Sequence, residues 1–345
     1  MTLCAAWIRQ KNNAEELVFA TDSSLTGGEK WNQGVKLFEL PRPDCLICFA
    51  GGTGRAYPLI LNLLSSIKLS KRLQNSHTDI EEVLDYLSTL FTSLVATIVT
   101  EIKNQDIHVL RSEAEFLFGG WSWSKSCFRI WKLYYSKDAE GFIPQEYTGK
   151  VITYAFLGNP EDLSETAKRE LKRAREDNET EEDPLDMEPL AVLVKMSRNS
   201  SIREVDGAIQ IAKLYKSGTS EFFGINWPSS EGKPHFQGRG FEPHSKPDVR
   251  YFDPDTLKLI EDKLPNVIEN LTRFSNLEDF GFICNCYVED KSLQEGSSDT
   301  GVERLSYVLR EDLPDNERER LIYIFRKAAY QYFIEDIQNN GSSAP

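Results

Sequence analysis

The chain is short of histidine and methionine, with 4 His and 3 Met among 345 residues. Histidine is the usual proton-transfer group near neutral pH and a common metal ligand, so a His-centred reaction or metal site has few candidates. Cysteine is sparse as well, at positions 4, 45, 48, 127, 284 and 286. Six in a chain of this length do not make a disulfide scaffold and fit a reducing compartment. No stretch approaches the ~18–20 apolar residues that span a bilayer, and Met1 to Gln10 lacks a basic region followed by a long apolar one. A cytoplasmic protein without a membrane partner is expected. Cations are outnumbered, 40 Lys+Arg against 54 Asp+Glu, for a net charge of −14. Non-specific nucleic-acid affinity comes from Lys and Arg releasing counterions, so no nucleic-acid partner is expected either.

What is present is enough for a core: 40% of the residues are apolar and 11% aromatic, above the range of disordered chains. The length allows about two domains, or one large domain with additions. Short apolar runs at Leu3 to Ile8, Leu17 to Ala20, Val35 to Leu40 and Cys45 to Ala50 read as strands with short connections, hence as an antiparallel sheet. A helix follows over Gly54 to Leu69. A longer one, Ile80 to Lys103, has apolar residues at i, i+3, i+4 spacing and Thr78 with Glu81 as a capping box. Further strands are read at Glu115 to Gly119, Lys125 to Tyr135 and Lys150 to Leu157. Asn159 as N-cap and Pro160 at N1 then open a helix to about Arg175. The acidic run Glu176 to Glu188 reads as a solvated loop, followed by a helix near Glu188 to Arg198 and strands at Ala208 to Tyr215 and Glu221 to Trp227. Beyond Asp248 the pattern is helical at Asp253 to Phe274 and Pro314 to Gln338, with a strand at Phe280 to Val288.

Strands, helices, strands, helices, strands in that order imply an α+β protein. Two antiparallel sheets with helices outside each cover every apolar face, a four-layer αββα sandwich. Residues 1–247 form this domain, and 248–345 a C-terminal α-rich extension of unknown role.

Met1-Thr2 leads straight into the first strand. A penultimate Thr permits removal of the initiator Met, which leaves an α-amino group and a β-hydroxyl on one residue. The amine, with a pKa near ~8, can act as base for its own hydroxyl. Such a residue carries nucleophile and base together and needs no histidine.

Three segments behind Thr2 carry a resemblance: Ala20-Thr21-Asp22-Ser23, the single Lys36 in Gly34-Val35-Lys36-Leu37, and Ala50-Gly51-Gly52 before a helix. In order and spacing they resemble the N-terminal half of proteasome β-type peptidases, which are N-terminal nucleophile (Ntn) hydrolases. The resemblance implies Thr2 as nucleophile, Asp22 as the carboxylate orienting Lys36, Lys36 as the cation tuning the Thr2 amine and hydroxyl, and Gly51 as donor of the oxyanion-hole N–H. It also implies that Thr26 pairs with an extended substrate backbone and that Leu25 and Phe49 line the first specificity pocket. Asn159 stands where the family has a Ser that assists the amine. Each residue also has a plainer reading: Asp22 as a turn residue, Lys36 as an exposed strand lysine, Gly51-Gly52 as a strand-to-helix junction, Asn159 as a helix cap.

The second half departs from the family. Glu204-Val205-Asp206-Gly207 replaces the family's Asp-x-x-Ser-Gly-Gly, so a peptidase with a reduced catalytic set and a non-catalytic assembly or regulatory subunit both remain open. The resemblance covers residues 2 to 240 and implies a threonine peptidase or amidohydrolase acting on a peptide or small amide as a homo-oligomer. It implies no cofactor and no metal, and leaves any ATPase or regulatory partner open. Cys45-Leu46-Ile47-Cys48 and Cys284-Asn285-Cys286 lie in strand-like runs. Strand residues three apart face opposite ways, which opposes a shared zinc ion.

Overall fold

A computed structural model describes residues 2–11, 14–26, 29–75, 77–101, 103–149 and 151–260. The chain divides into two units, residues 1–11 with 15–260 and residues 12–14 with 261–345; the fold below is that of the first. The elements read at Phe280 to Val288 and Pro314 to Gln338, and Cys284 and Cys286, lie outside the described residues.

The order begins with strands β1 (Thr2–Lys11), β2 (Ala14–Thr21), β3 (Leu25–Thr26), β4 (Lys30–Trp31), β5 (Leu37–Glu39) and β6 (Cys45–Gly51). Helices α1 (Thr53–Leu69), α2 (Lys71–Gln74), α3 (Ile80–Ala96) and α4 (Ile107–Arg111) come next, then β7 (Ala114–Ser122), β8 (Cys127–Ser136), β9 (Gly141–Tyr147) and β10 (Tyr154–Asn159). Helices α5 (Glu161–Asp177) and α6 (Glu188–Arg198) precede β11 (Gln210–Tyr215), β12 (Ser220–Trp227), β13 (Lys233–Phe236), β14 (Arg239–Gly240) and β15 (Tyr251–Phe252).

The first four expected strands do not share one sheet. β1 and β2 belong to an eight-stranded sheet ordered β10-β1-β2-β11-β12-β13-β14, with β15 added to β12. β5 and β6 start a second, five-stranded sheet, β5-β6-β7-β8-β9. The small β3–β4 pair lies in the connection between them, which is long enough to change sheets.

Alternation sends successive residues of each strand to different cores. Leu3, Ala5, Trp7, Val18, Ala20 and Ile211 cluster with Leu163, Ala167 and Leu171 of α5 and Leu190, Leu193 and Val194 of α6. Ile47, Phe49, Phe116 and Leu133 cluster with Ile60 and Leu63 of α1 and with Val83, Leu87 and Phe91 of α3. The residues in between, Cys4, Ala6, Leu17, Phe19, Ala212 and Leu214 of the first sheet, meet Leu46, Cys48, Leu117 and Ile130 of the second. Cys45 and Cys48 fall in different clusters.

Several boundaries differ from the sequence reading. α3 stops at Ala96 with Thr97 as its C-cap; the β-branched run Thr97-Ile98-Val99-Thr100 is poor helix material. Its N-cap is Asp79, whose side chain accepts the Glu81 N–H, in place of a Thr78 box. α5 is capped by Pro160 rather than Asn159, because β10 runs through Asn159. Residues 253–260 form turns and no helix, and Tyr251–Phe252 pairs with Gly224 and Ile225 of β12. β9 contains Pro144 and is tolerated because it is an edge strand. Among the described residues no helix is long and apolar enough to cross a membrane.

Candidate active site

Thr2 opens β1 and stands opposite Asn159 of β10 in an antiparallel register. β1 and β2 are neighbours, which brings Asp22, just past the end of β2, to the start of β1. Its Oδ1 accepts the Leu3 N–H at 3.0 Å and its Oδ2 the Ser24 N–H at 3.0 Å. The second is an Asx-type bond to the residue two ahead, so Asp22 is a turn residue as well. The carboxylate is fixed by main chain on both sides.

Lys36 reaches this carboxylate from between Gly34 and β5. Its Nζ donates to Asp22 Oδ2 at 2.9 Å and to Thr2 Oγ1 at 2.7 Å. Lys36 and Asp22 are 0% exposed and Thr2 is 1% exposed. Burying two charges is costly unless geometry and further hydrogen bonds compensate, and here the two main-chain donors supply them. An ammonium group this close to a hydroxyl oxygen favours its alkoxide in a water-poor setting.

The backbone around Lys36 depends on Gln210, a role no motif announces. Gln210 is buried at the start of β11, and its Oε1 accepts both the Lys36 N–H at 3.0 Å and the Leu37 N–H at 3.3 Å. Its Nε2 donates to Gly34 O at 2.6 Å. The one sequence signal is a lone carboxamide in the apolar run Ala208 to Tyr215.

Gly51 closes β6 with φ +107. A Cβ there would stand 2.0 Å from Glu113 O, and Gly52 N–H donates to that same carbonyl at 2.7 Å. The junction therefore requires glycine at residue 51. β6 is tied to β1 by Cys4 Sγ, which donates to Phe49 O at 3.1 Å.

Leu25 and Thr26 form β3, opposite Trp31 and Lys30 of β4, and are half-buried. Leu25 lies over Gly34, where an added Cβ would fall 2.2 Å from Leu25 Cγ. Phe49 is fully buried, 6.5 Å from Phe38 and 5.5 Å from Tyr57 between ring centroids. Tyr57 OH donates to Val35 O at 3.0 Å, one residue before Lys36.

Asp206, in the stretch that departs from the family pattern, binds the loop between β2 and β5. Its carbonyl accepts the Ser23 N–H at 3.2 Å, and its carboxylate pairs with Lys30 and accepts Asn32 Nδ2 at 3.3 Å and the Gly207 N–H at 2.6 Å. Burial pushes its pKa up, but the Lys30 ammonium, the Gly207 amide and Asn32 bring it below the ordinary carboxylate value. Among the described residues no group of three or more His, Cys, Asp and Glu is placed to hold a metal ion.

No protein-family model matches the chain, and no curated protein matches it in sequence. Among solved structures it is similar to Anbu (ancestral beta-subunit) from Yersinia bercovieri, with 18% identity and a TM-score of 0.44 over 64% of this chain and 86% of that one. An Anbu (Gly-1) mutant from Hyphomicrobium sp. strain MC1 gives 13% identity and 0.44 over 64% and 84%. The Anbu complex of Pseudomonas aeruginosa, described as a helical assembly, gives 17% and 0.44 over 62% and 81%. At these values none of the three decides the chemistry, which is argued from the side chains.

Proposed function

We propose that the protein is a proteasome-like N-terminal threonine hydrolase of amide bonds, on a four-layer Ntn-hydrolase sandwich formed by residues 1–247. The observation that carries this reading is the buried Lys36 Nζ, 2.7 Å from Thr2 Oγ1 and 2.9 Å from Asp22 Oδ2. After removal of Met1, the Thr2 amine takes the hydroxyl proton as Oγ1 attacks the substrate carbonyl carbon. Lys36, held by Asp22, lowers the pKa of both groups of Thr2. The Gly51 N–H receives the oxyanion. The amine then returns the proton to the leaving nitrogen as the C–N bond breaks, and water hydrolyses the acyl-threonine ester. Leu25 and Phe49 shape the first pocket, Thr26 pairs with substrate backbone, and Asn159 supports the start of β1. Substrates are peptides or small amides, and the protein works in the cytoplasm as a homo-oligomer.

A peptide epoxyketone tests the reading. It labels Thr2 in the wild-type protein, labelling and amide hydrolysis are both absent in Thr2→Ala, and persistence of either in that variant contradicts the assignment.

A second reading is a non-catalytic assembly or regulatory subunit on the same fold. It is favoured by the near-complete burial of Thr2 and by Asp206, whose carboxylate is engaged by Lys30 and Asn32. It predicts a free Thr2 amine with no labelling.

A further inference from the structure

We infer that Gln210 is a positioning residue for the Lys36 ammonium: its carboxamide fixes the backbone that aims Lys36 at Thr2 and sets its distance from Asp22. The inference rests on the hydrolase reading above and extends it to a residue outside the Thr2, Asp22 and Lys36 set.

The ladder of β5 with β6 begins at Leu37, opposite Cys48, so Lys36 stands just before it. Among the described residues β5 is also the outer strand of its sheet, with no sheet partner on its far edge. Gln210 supplies the missing bonds from the other sheet. One oxygen takes two successive amides, Lys36 N–H and Leu37 N–H, and the amide nitrogen closes the loop onto Gly34 O. Successive amides converging on one acceptor define a local backbone shape. Gly34 N–H donates to Ser23 O at 2.9 Å, so the segment is held at both ends.

The origin of that grip matters. Gln210 is paired with Thr21 across β2 and β11, and Thr21 is the residue before Asp22. The same strand pair therefore places the carboxylate, through Thr21, and the lysine, through Gln210. A change at Gln210 moves Lys36 relative to Asp22 and Thr2 while leaving the main-chain bonds of Asp22 in place.

The test compares Gln210→Met, which removes both polar functions at similar length, with Gln210→Glu, whose buried carboxyl, in its protonated form, keeps both the accepting Oε1 and a donor to Gly34 O. Lys36→Met and the double variant Gln210→Met/Lys36→Met complete a cycle. The rate of Thr2 modification by a peptide epoxyketone is followed against pH, and the Lys36 side chain is followed by NMR with 13C-labelled lysine.

Gln210→Met is expected to slow modification ~10²-fold and to move the acid limb of the profile to higher pH, because a displaced ammonium depresses the Thr2 amine less. Gln210→Glu stays within ~10-fold of wild type. The double variant is no slower than Lys36→Met, and the Lys36 resonance shifts in Gln210→Met but not in Gln210→Glu. Wild-type rate with an unshifted Lys36 signal in Gln210→Met, or losses that multiply in the double variant, overturns the inference. If wild-type Thr2 is not modified at all, the hydrolase reading fails, and the Lys36 resonance alone decides the positioning role. If Gln210→Met does not fold, Gln210→Asn, one methylene shorter, replaces it against Gln210→Glu with the same two outcomes.

Discussion

Lys36 and Asp22 form an ion pair with both side chains 0% exposed, and such a pair is destabilising to break from one side. Lys36→Met leaves the Asp22 carboxylate buried with only its two main-chain donors. It is expected to lower unfolding free energy by ~3–5 kcal/mol, measured by urea denaturation, and to slow Thr2 labelling further than Gln210→Met does, to a residual but measurable rate. Gly51→Ala acts through backbone alone. Its φ of +107 disfavours a side chain, and the new Cβ would overlap Glu113 O; a loss of at least ~1–3 kcal/mol is expected from the strain, read in the same assay. At this scale the residues of the candidate site were legible as short motifs. Thr2, Asp22, Lys36 and Gly51 each belong to a short motif, and the structure places Lys36 Nζ in hydrogen-bond contact with both Thr2 and Asp22. Gln210 was not legible, because its partners Lys36, Leu37 and Gly34 lie about 174 residues away in sequence and its chemistry is a carboxamide with no motif around it.

The elements were legible where periodicity was strong. α3 carries Val83, Leu84, Leu87, Phe91 and Val95 on one buried face, and α6 coincides with the run read at Glu188 to Arg198. What the pattern could not reveal was sheet membership. The strands β2 and β5 each read as an apolar run after a polar link, and only the three-dimensional path shows them in different sheets. Edge strands were also hidden: β9 has three exposed residues in a row, Pro144 among them, so its alternation is weak. Phe91 of α3 packs on the second sheet, its ring 4.7 Å from Phe116 and 5.5 Å from Phe142. Phe91→Ala is expected to cost ~3–5 kcal/mol. Calorimetry should record a lower melting temperature, while Thr2 labelling at temperatures below the transition is retained.

Across the whole molecule, the excess of acid makes stability sensitive to low pH in a definable direction. Burial pushes the Asp186 pKa up, but hydrogen bonds from Lys11 and Arg9 leave it below the ordinary value. Asp206 is lowered by Lys30, Gly207 and Asn32 against the same effect. A carboxylate with a depressed folded-state pKa contributes stability above its unfolded value, near ~4, and loses it as pH falls through the lower folded value. Melting temperature is therefore expected to fall below about pH 4, with a shallower acid slope in Asp186→Asn and Asp206→Asn; an unchanged slope in both contradicts the assignment. The scarcity of histidine is consistent with a reaction that needs none, since Thr2 with a free amine carries its own base. The central claim is tested most directly by intact-mass spectrometry of the purified protein before and after a peptide epoxyketone. The account predicts a chain lacking Met1 that gains one adduct on Thr2, whereas a chain that retains Met1, or gains no adduct there, contradicts it.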